Sequence, residues 1–205
     1  VFDKEDENLN EQDMRLAFVK GDEDALECIV ELYKHPLFRY CVTLMCNRED
    51  AEDALQETFI KAYEKRKRFD PEKPLLPWLY RLAYTTCVDA IRKRNRYIDL
   101  QLLLQKKEGP KEMQQVSIGQ DILSPQLYRV LSGLTVKERV LLYGRVFDDQ
   151  SYKDLSLILN VSESALRKRY ERLVLKLAQQ LDFEKKTEKE LSYEYGSDSR
   201  AVGRY

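Results

Sequence analysis

"SYKDLSLILNVSESALRKRYERL", residues 151 to 173, decides how the chain folds. Ser151 opens a helical run in which Tyr152, Leu155, Ile158 and Leu159 recur at steps of three and four and share one face. Asn160 and Val161 make a tight turn. Ser162 caps a second run whose inward positions are Ala165, Leu166, Leu173 and Leu177. Two short helices at this spacing form a helix-turn-helix, and a single helix fits the width of the DNA major groove. The outward side chains of the second helix are Glu163, Ser164, Arg167, Lys168, Arg169, Tyr170 and Arg172. Arg167 and Lys168 suit base edges, whereas Arg169 and Arg172 serve phosphates equally well. A helical hairpin that only packs is the competing reading. Against it stand the cations, clustered on the one helix that would face DNA.

Working outward, "TVKE" at Thr135 to Glu138 is a capping box that opens a helix to about Phe147, preceded by a shorter helix from Pro125 to Leu131. From residue 98 to 123 the helical pattern is lost in Lys106, Lys107, Gly109, Pro110 and a Gln-rich stretch, which reads as a flexible linker. Before it lies "PWLYRLAYTTCVDAIRKRNR", residues 77 to 96, with Leu79, Leu82, Ala83, Cys87, Ala90 and Ile91 on one face and Trp78, Arg81, Thr85, Asp89, Arg92 and Arg96 on the other. Aromatic rings stack on bases that leave the duplex, and nearby cations track the backbone, so this face suits opened DNA. Lys65, Arg66, Lys67, Arg68, Arg81, Arg92, Lys93, Arg94 and Arg96 supply the charge. An ordinary solvated face is the plain alternative.

Pro71, Pro74 and Pro77 form a rigid loop ahead of Trp78. Before that loop, Asn47 caps a helix from Arg48 to about Arg66 with an apolar stripe of Ala51, Leu55, Phe59 and Ala62. Its other side carries Asp50, Asp53, Gln56, Glu57 and Lys61. Carboxylates cannot share phosphates with the basic helix, so a protein partner or simple solvation accounts for them. Nearer the amino terminus, the His35-Pro36 step interrupts a helical run, Gly21 ends a short helix capped at Asn10, and residues 1 to 13 read as a mobile acidic tail.

The formal net charge of -1 conceals polarity along the chain. Residues 1 to 31 hold three basic and eleven acidic residues, a net of -8, whereas residues 61 to 96 hold eleven basic and four acidic, a net of +7. Polyanion binding follows the local field, so both signs have a use. Cys28, Cys41, Cys46 and Cys87 form no CxxC pair, and the first, second and last of these sit in apolar helical contexts as reduced core thiols. With one histidine, His35, neither a zinc site nor His-based nucleophilic catalysis can be assembled, so no metal or cofactor is expected and an enzyme is disfavoured. The absence of a long apolar run or a signal-like amino terminus points to the cytoplasm.

"NREDAEDALQETFIKAYEKRKRF", "PWLYRLAYTTCVDAIRKRNR" and "LTVKERVLLYGRVFDDQSYKDLSLILNVSESALRKRYERL" together resemble bacterial extracytoplasmic-function (ECF) sigma factors over roughly residues 14 to 181. The resemblance implies that Asp50, Asp53, Gln56, Glu57 and Phe59 dock on the clamp coiled coil of core RNA polymerase. It implies that residues 66 to 96 capture and melt the minus-ten element. It further implies that positions from Ser164 to Arg169 read the minus-thirty-five element, and that an anti-sigma factor is a partner. This chain departs from the usual pattern with Tyr84 and Thr85 in place of an Arg-Asn pair, Ala165 in place of Thr, and Val174 in place of a basic residue. A promoter that differs from the family's commonest one follows.

The fold expected is all-α, with two small helical domains joined by a flexible linker. The first spans residues 14 to 97, the second spans 124 to 181 and contains the helix-turn-helix, and 182 to 205 form a charged flexible tail. The competing functions are a free-standing helix-turn-helix regulator and a helical interaction adaptor.

Overall fold

The computed structural model describes residues 4–108 and 123–197, and every regular element among them is helical. In chain order these are α1 (Lys4–Lys20), α2 (Glu23–Met45), α3 (Arg48–Lys65), a 3-10 turn at Arg66–Arg68, α4 (Leu75–Glu108), α5 (Pro125–Ser132), α6 (Val136–Val146), α7 (Tyr152–Leu159) and α8 (Glu163–Ser197). The first four helices form one domain, in which α2, α3 and α4 pack on one another and α1 lies against α2. Helices α5 to α8 form the second.

Local chemistry sets the boundaries. Gly21, at φ +95°, closes α1 and sends its N–H back to Ala17 and Phe18, and Asp22 then accepts from the Ala25 N–H at 2.9 Å to start α2. Asn47 accepts from the Asp50 N–H at 2.9 Å and starts α3 as the sequence predicts. The capping box at Thr135 and Glu138 forms in both directions. Ser151 caps α7, and Asn160 takes the left-handed conformation at φ 53° that ends it, so the helix-turn-helix is present as read.

Five expectations change. Proline 36 does not interrupt α2: it removes one backbone donor, but Ile29, Leu37, Tyr40, Cys41 and Leu44 on both sides are fully buried, and this packing outweighs a cost of roughly 3 kcal/mol. The acidic stretch expected to be a tail to residue 13, with a cap at Asn10, is helical from Lys4. There Glu11 pairs with Arg15 at 2.9 Å and accepts from the Tyr33 hydroxyl of α2 at 3.2 Å. Helix α4 continues past residue 97 into the expected linker, because no Gly or Pro follows Pro77 until Gly109; residues 109–122 lie outside the described residues. Helix α8 likewise runs through most of the expected tail on a Glu- and Lys-rich sequence, with 198–205, like 1–3, outside the described residues. Among the thiols, Cys41 and Cys87 are buried as read, but Cys28 is exposed, one position off the stripe of Ala25 and Ile29, and Cys46 is buried instead.

The two domains pack together, α6 on α2 and α7 on α4. Tyr143 of α6 enters the seam with its ring 5.3 Å from Tyr40 and 6.3 Å from Tyr80, both in edge-to-face geometry. Its hydroxyl donates to the Pro36 carbonyl at 3.2 Å. Arg139 reaches across as well, donating through Nη1 to the Leu44 carbonyl at 2.5 Å while its Nε holds Leu131 of α5 at 2.7 Å. One guanidinium thus satisfies carbonyls near the ends of two helices in different domains. Burial, followed by the neighbouring Tyr143 hydroxyl and Asp148 carboxylate, raises Tyr80 far above the ordinary phenol range.

Candidate nucleic-acid and polymerase interfaces

Three charged surfaces emerge from these elements. On α3, Asp53, Gln56 and Glu57 are exposed, Asp50 is half-exposed, and Phe59 is half-buried against the core. The Asp50 carboxylate accepts from Arg94 of α4 at 2.6 Å. Lys61 spans the same gap, pairing with Glu57 at 3.2 Å and donating to the Thr86 hydroxyl at 3.3 Å. Between the two helices runs an open groove of about 600 Å³, acidic on the α3 side and lined by Lys93 and Arg96 on the α4 side. The sequence predicts separate acidic and basic faces; in the fold they meet along this groove, and Arg94 is tied to Asp50.

The second surface follows the 3-10 turn and α4. Lys67 and Arg68 are exposed, but Arg66 donates to the Tyr63 carbonyl at 2.7 Å and lies 4.1 Å over the Tyr63 ring, so its charge is held close to the body of the domain. Arg81, Thr85, Arg92, Lys93 and Arg96 are exposed along α4, with the Thr85 hydroxyl donating to the Leu82 carbonyl at 2.8 Å. Trp78 is half-buried. Its ring stands 6.4 Å from Phe18 at 71° and 5.1 Å from Phe69 at 43°, so part of the indole packs inward and only the remainder faces outward.

The third surface is α8. Ser164, Arg167, Lys168, Arg169 and Arg172 are all exposed, while Leu166 and Leu173 are buried beneath them. The helix divides these cations by direction. Arg169 and Arg172 line a cavity of about 340 Å³ between α6 and α8, which they share with Lys137 and Lys176. Arg167 lies on the α7 side, 4.8 Å over the ring of Tyr152. Lys137 and Lys176 escape a reading centred on the helix-turn-helix, although Lys176 sits four residues after Arg172 and so shares its face. Among the described residues, no group of His, Cys, Asp and Glu side chains is arranged to hold a metal ion. No helix among them is long and apolar enough to cross a membrane.

Two sequence families match the chain: Sigma-70 region 2 over residues 29–97, and Sigma-70, region 4 over residues 124–177. The ECF RNA polymerase sigma factor SigW of Bacillus subtilis (strain 168) is 30% identical over 162 residues, covering 75% of this chain and 87% of that protein. The chain belongs to the ECF sigma factors. The ECF RNA polymerase sigma-E factor of Salmonella typhimurium (strain LT2) is similar at 26% identity over 172 residues, 80% of this chain and 90% of that one. Two solved structures share the fold. CnrH, in complex with the cytosolic domain of CnrY, superposes with a TM-score of 0.63 at 21% identity, covering 84% of this chain and 97% of that chain. The sigma factor RpoE, in complex with the anti-sigma factor NepR from Bartonella quintana, does so with a TM-score of 0.60 at 21% identity, covering 76% and 96%. As an ECF sigma factor, the chain is a non-catalytic RNA polymerase subunit, with region 2 in the first domain and the helix-turn-helix of region 4 in the second.

Proposed function

We propose that this ECF sigma factor docks on core RNA polymerase through Asp50, Asp53, Gln56, Glu57 and Phe59, reads an upstream promoter element with α8, and melts a downstream element against α4. The domains doing so are residues 14–97 and 124–181. The observation that carries this reading is the placement of charge: exposed carboxylates at Asp53 and Glu57 on α3, and exposed cations at Arg167, Lys168 and Arg169 on α8 that form no ion pair among the described residues. Lys67, Arg68, Arg81, Arg92, Lys93 and Arg96 track the opened strand, and the outward part of Trp78, beside Thr85, meets its bases. Arg66 contributes field rather than direct contact, because Tyr63 holds it, whereas the charge of Arg94 is offset by Asp50 until that pair opens. Ser164 and Arg172 flank the base-reading positions on α8. An anti-sigma factor is a further partner, as NepR is for the Bartonella RpoE, and the site of action is the cytoplasm.

Co-elution with bacterial core RNA polymerase on a sizing column tests the docking face. The unmodified chain is expected to co-elute, and an Asp53→Lys, Glu57→Lys variant to elute alone. A variant that still co-elutes removes those carboxylates from the interface; an unmodified chain that never co-elutes, beside a control sigma factor that does, refutes the docking proposal. On duplex carrying the upstream element, Arg169→Ala is expected to weaken binding uniformly across sequences and to reduce the slope against log salt by about 1.

A further inference from the structure

Arg167 of α8 lies over an aromatic ring that belongs to another helix. Its guanidinium carbon lies 4.8 Å from the centre of the Tyr152 ring, in the first turn of α7. That ring is itself held in place: Tyr170 of α8 meets it edge-on at 6.4 Å and 72°. A second guanidinium, Arg145 of α6, also sits 4.8 Å from the same ring centre. Arg145 is anchored inward, donating to the Gln150 carbonyl at 2.6 Å, so it forms part of the frame. Arg167, by contrast, is exposed and has no ion-pair partner among the described residues.

A guanidinium laid over an aromatic ring uses its face for the cation–π attraction and leaves the N–H donors at its edge free. Those edge donors form the two-pronged contacts that guanine or a phosphate accepts. The ring therefore restricts a long, flexible side chain without consuming the groups that recognise DNA. Arg145 approaches the same ring and is itself held by the Gln150 carbonyl at 2.6 Å and by the Asp149 carboxylate at 3.8 Å. We infer that Tyr152 is a positioning residue for DNA recognition: it orients Arg167 toward one base step of the upstream element without itself touching DNA. This rests on the reading of α8 as the helix that meets that element.

The test uses the full chain bound to core polymerase and a library of duplexes randomised over ten base pairs, from which bound sequences are selected. Tyr152→Leu keeps an apolar side chain and removes the ring; Tyr152→Phe keeps the ring and loses only the hydroxyl. The unmodified chain and Tyr152→Phe are expected to select the same sequence. Tyr152→Leu and Arg167→Ala are expected to lose preference at the same base step. On the selected duplex, Tyr152→Leu should bind about two- to fivefold more weakly, and adding it to Arg167→Ala should cost nothing more. Undiminished preference in Tyr152→Leu, or an equal cost with and without Arg167, overturns the inference and leaves Tyr152 as packing alone. Should the unmodified chain enrich no sequence, the reading of α8 falls, and the inference with it.

Discussion

At Thr135 and Glu138 a four-residue pattern becomes a reciprocal cap: the Thr135 N–H donates to the Glu138 carboxylate at 2.7 Å, and Lys176 of α8 approaches the same carboxylate at 3.6 Å. Burial favours the protonated form of Glu138, but the Thr135 N–H and hydroxyl together with Lys176 outweigh it and hold the carboxyl below the usual range. A depressed acid stabilises the fold fully above its unfolded value of about 4.3, and that contribution disappears as pH falls through the lower folded value. Glu138→Gln should therefore cost roughly 0.5–1 kcal/mol near pH 7 and flatten the acid limb of a plot of Tm against pH. If the limb is unchanged, the cap is not a source of acid sensitivity. Trp78 is the opposite case, a residue whose chemistry is plain in the sequence and whose surroundings are not. Because Phe18 and Phe69 hold its indole, Trp78→Ala should lower unfolding stability by about 2 kcal/mol or more with no DNA present, measured in urea. Promoter opening by that variant is interpretable only beside that measurement. Thiol chemistry separates in the same way: Cys28 is exposed while Cys41, Cys46 and Cys87 are buried. Burial raises Cys46, and a hydrogen bond with Cys41, followed by burial, raises Cys87. A thiol reagent at pH 8 should modify Cys28 promptly and the other three only after denaturation.

Between elements, the contact of α6 with α7 depends on an absent side chain. A Cβ on Gly144 would come within 2.6 Å of Leu155 Cδ2, and Leu155 is fully buried and has nowhere to move. Gly144→Ala should destabilise the chain by roughly 1–3 kcal/mol and weaken duplex binding, as α7 and the Tyr152 ring shift with it; circular dichroism melts together with a duplex titration check this. The helices themselves were legible because their caps and periods are short-range: Asn47, Thr135, Ser151 and Asn160 each act within four residues. Their ends were less legible. Helix α4 passes residue 97 because nothing in the sequence stops it, and α2 passes Pro36 because burial on both sides of the proline supplies more than one missing hydrogen bond removes.

At the scale of the molecule, the tyrosine seam joins the domain that would melt a promoter to the domain that would read it. Elements ten and thirty-five positions upstream lie about 25 base pairs, roughly 85 Å, apart along the duplex. Tyr40 and Tyr143 are 5.3 Å apart, so a chain engaging both elements has to part α6 from α2. Each aromatic pair contributes about 0.5–1.5 kcal/mol, an amount that polymerase docking readily offsets. Tyr143→Ala should leave helical content unchanged and increase the radius of gyration in solution X-ray scattering. An unchanged radius would show that Arg139 and the remaining apolar contacts hold the seam without it.

The sequence alone determined the helices, the helix-turn-helix, the acidic and basic runs and the family, because each is encoded by neighbours within a few turns or by blocks in a fixed order. Tertiary structure alone decided which charges remain free. Arg94 pairs with Asp50 from forty-four positions away, whereas Arg167 stays exposed over the ring of Tyr152 from a different helix. It also decided that Tyr80 is buried in the seam, although two steps from Trp78 along one helix it carries no periodicity that separates a domain contact from a core contact. Hydrophobic periods specify which face turns inward; what lies against that face depends on how the elements pack.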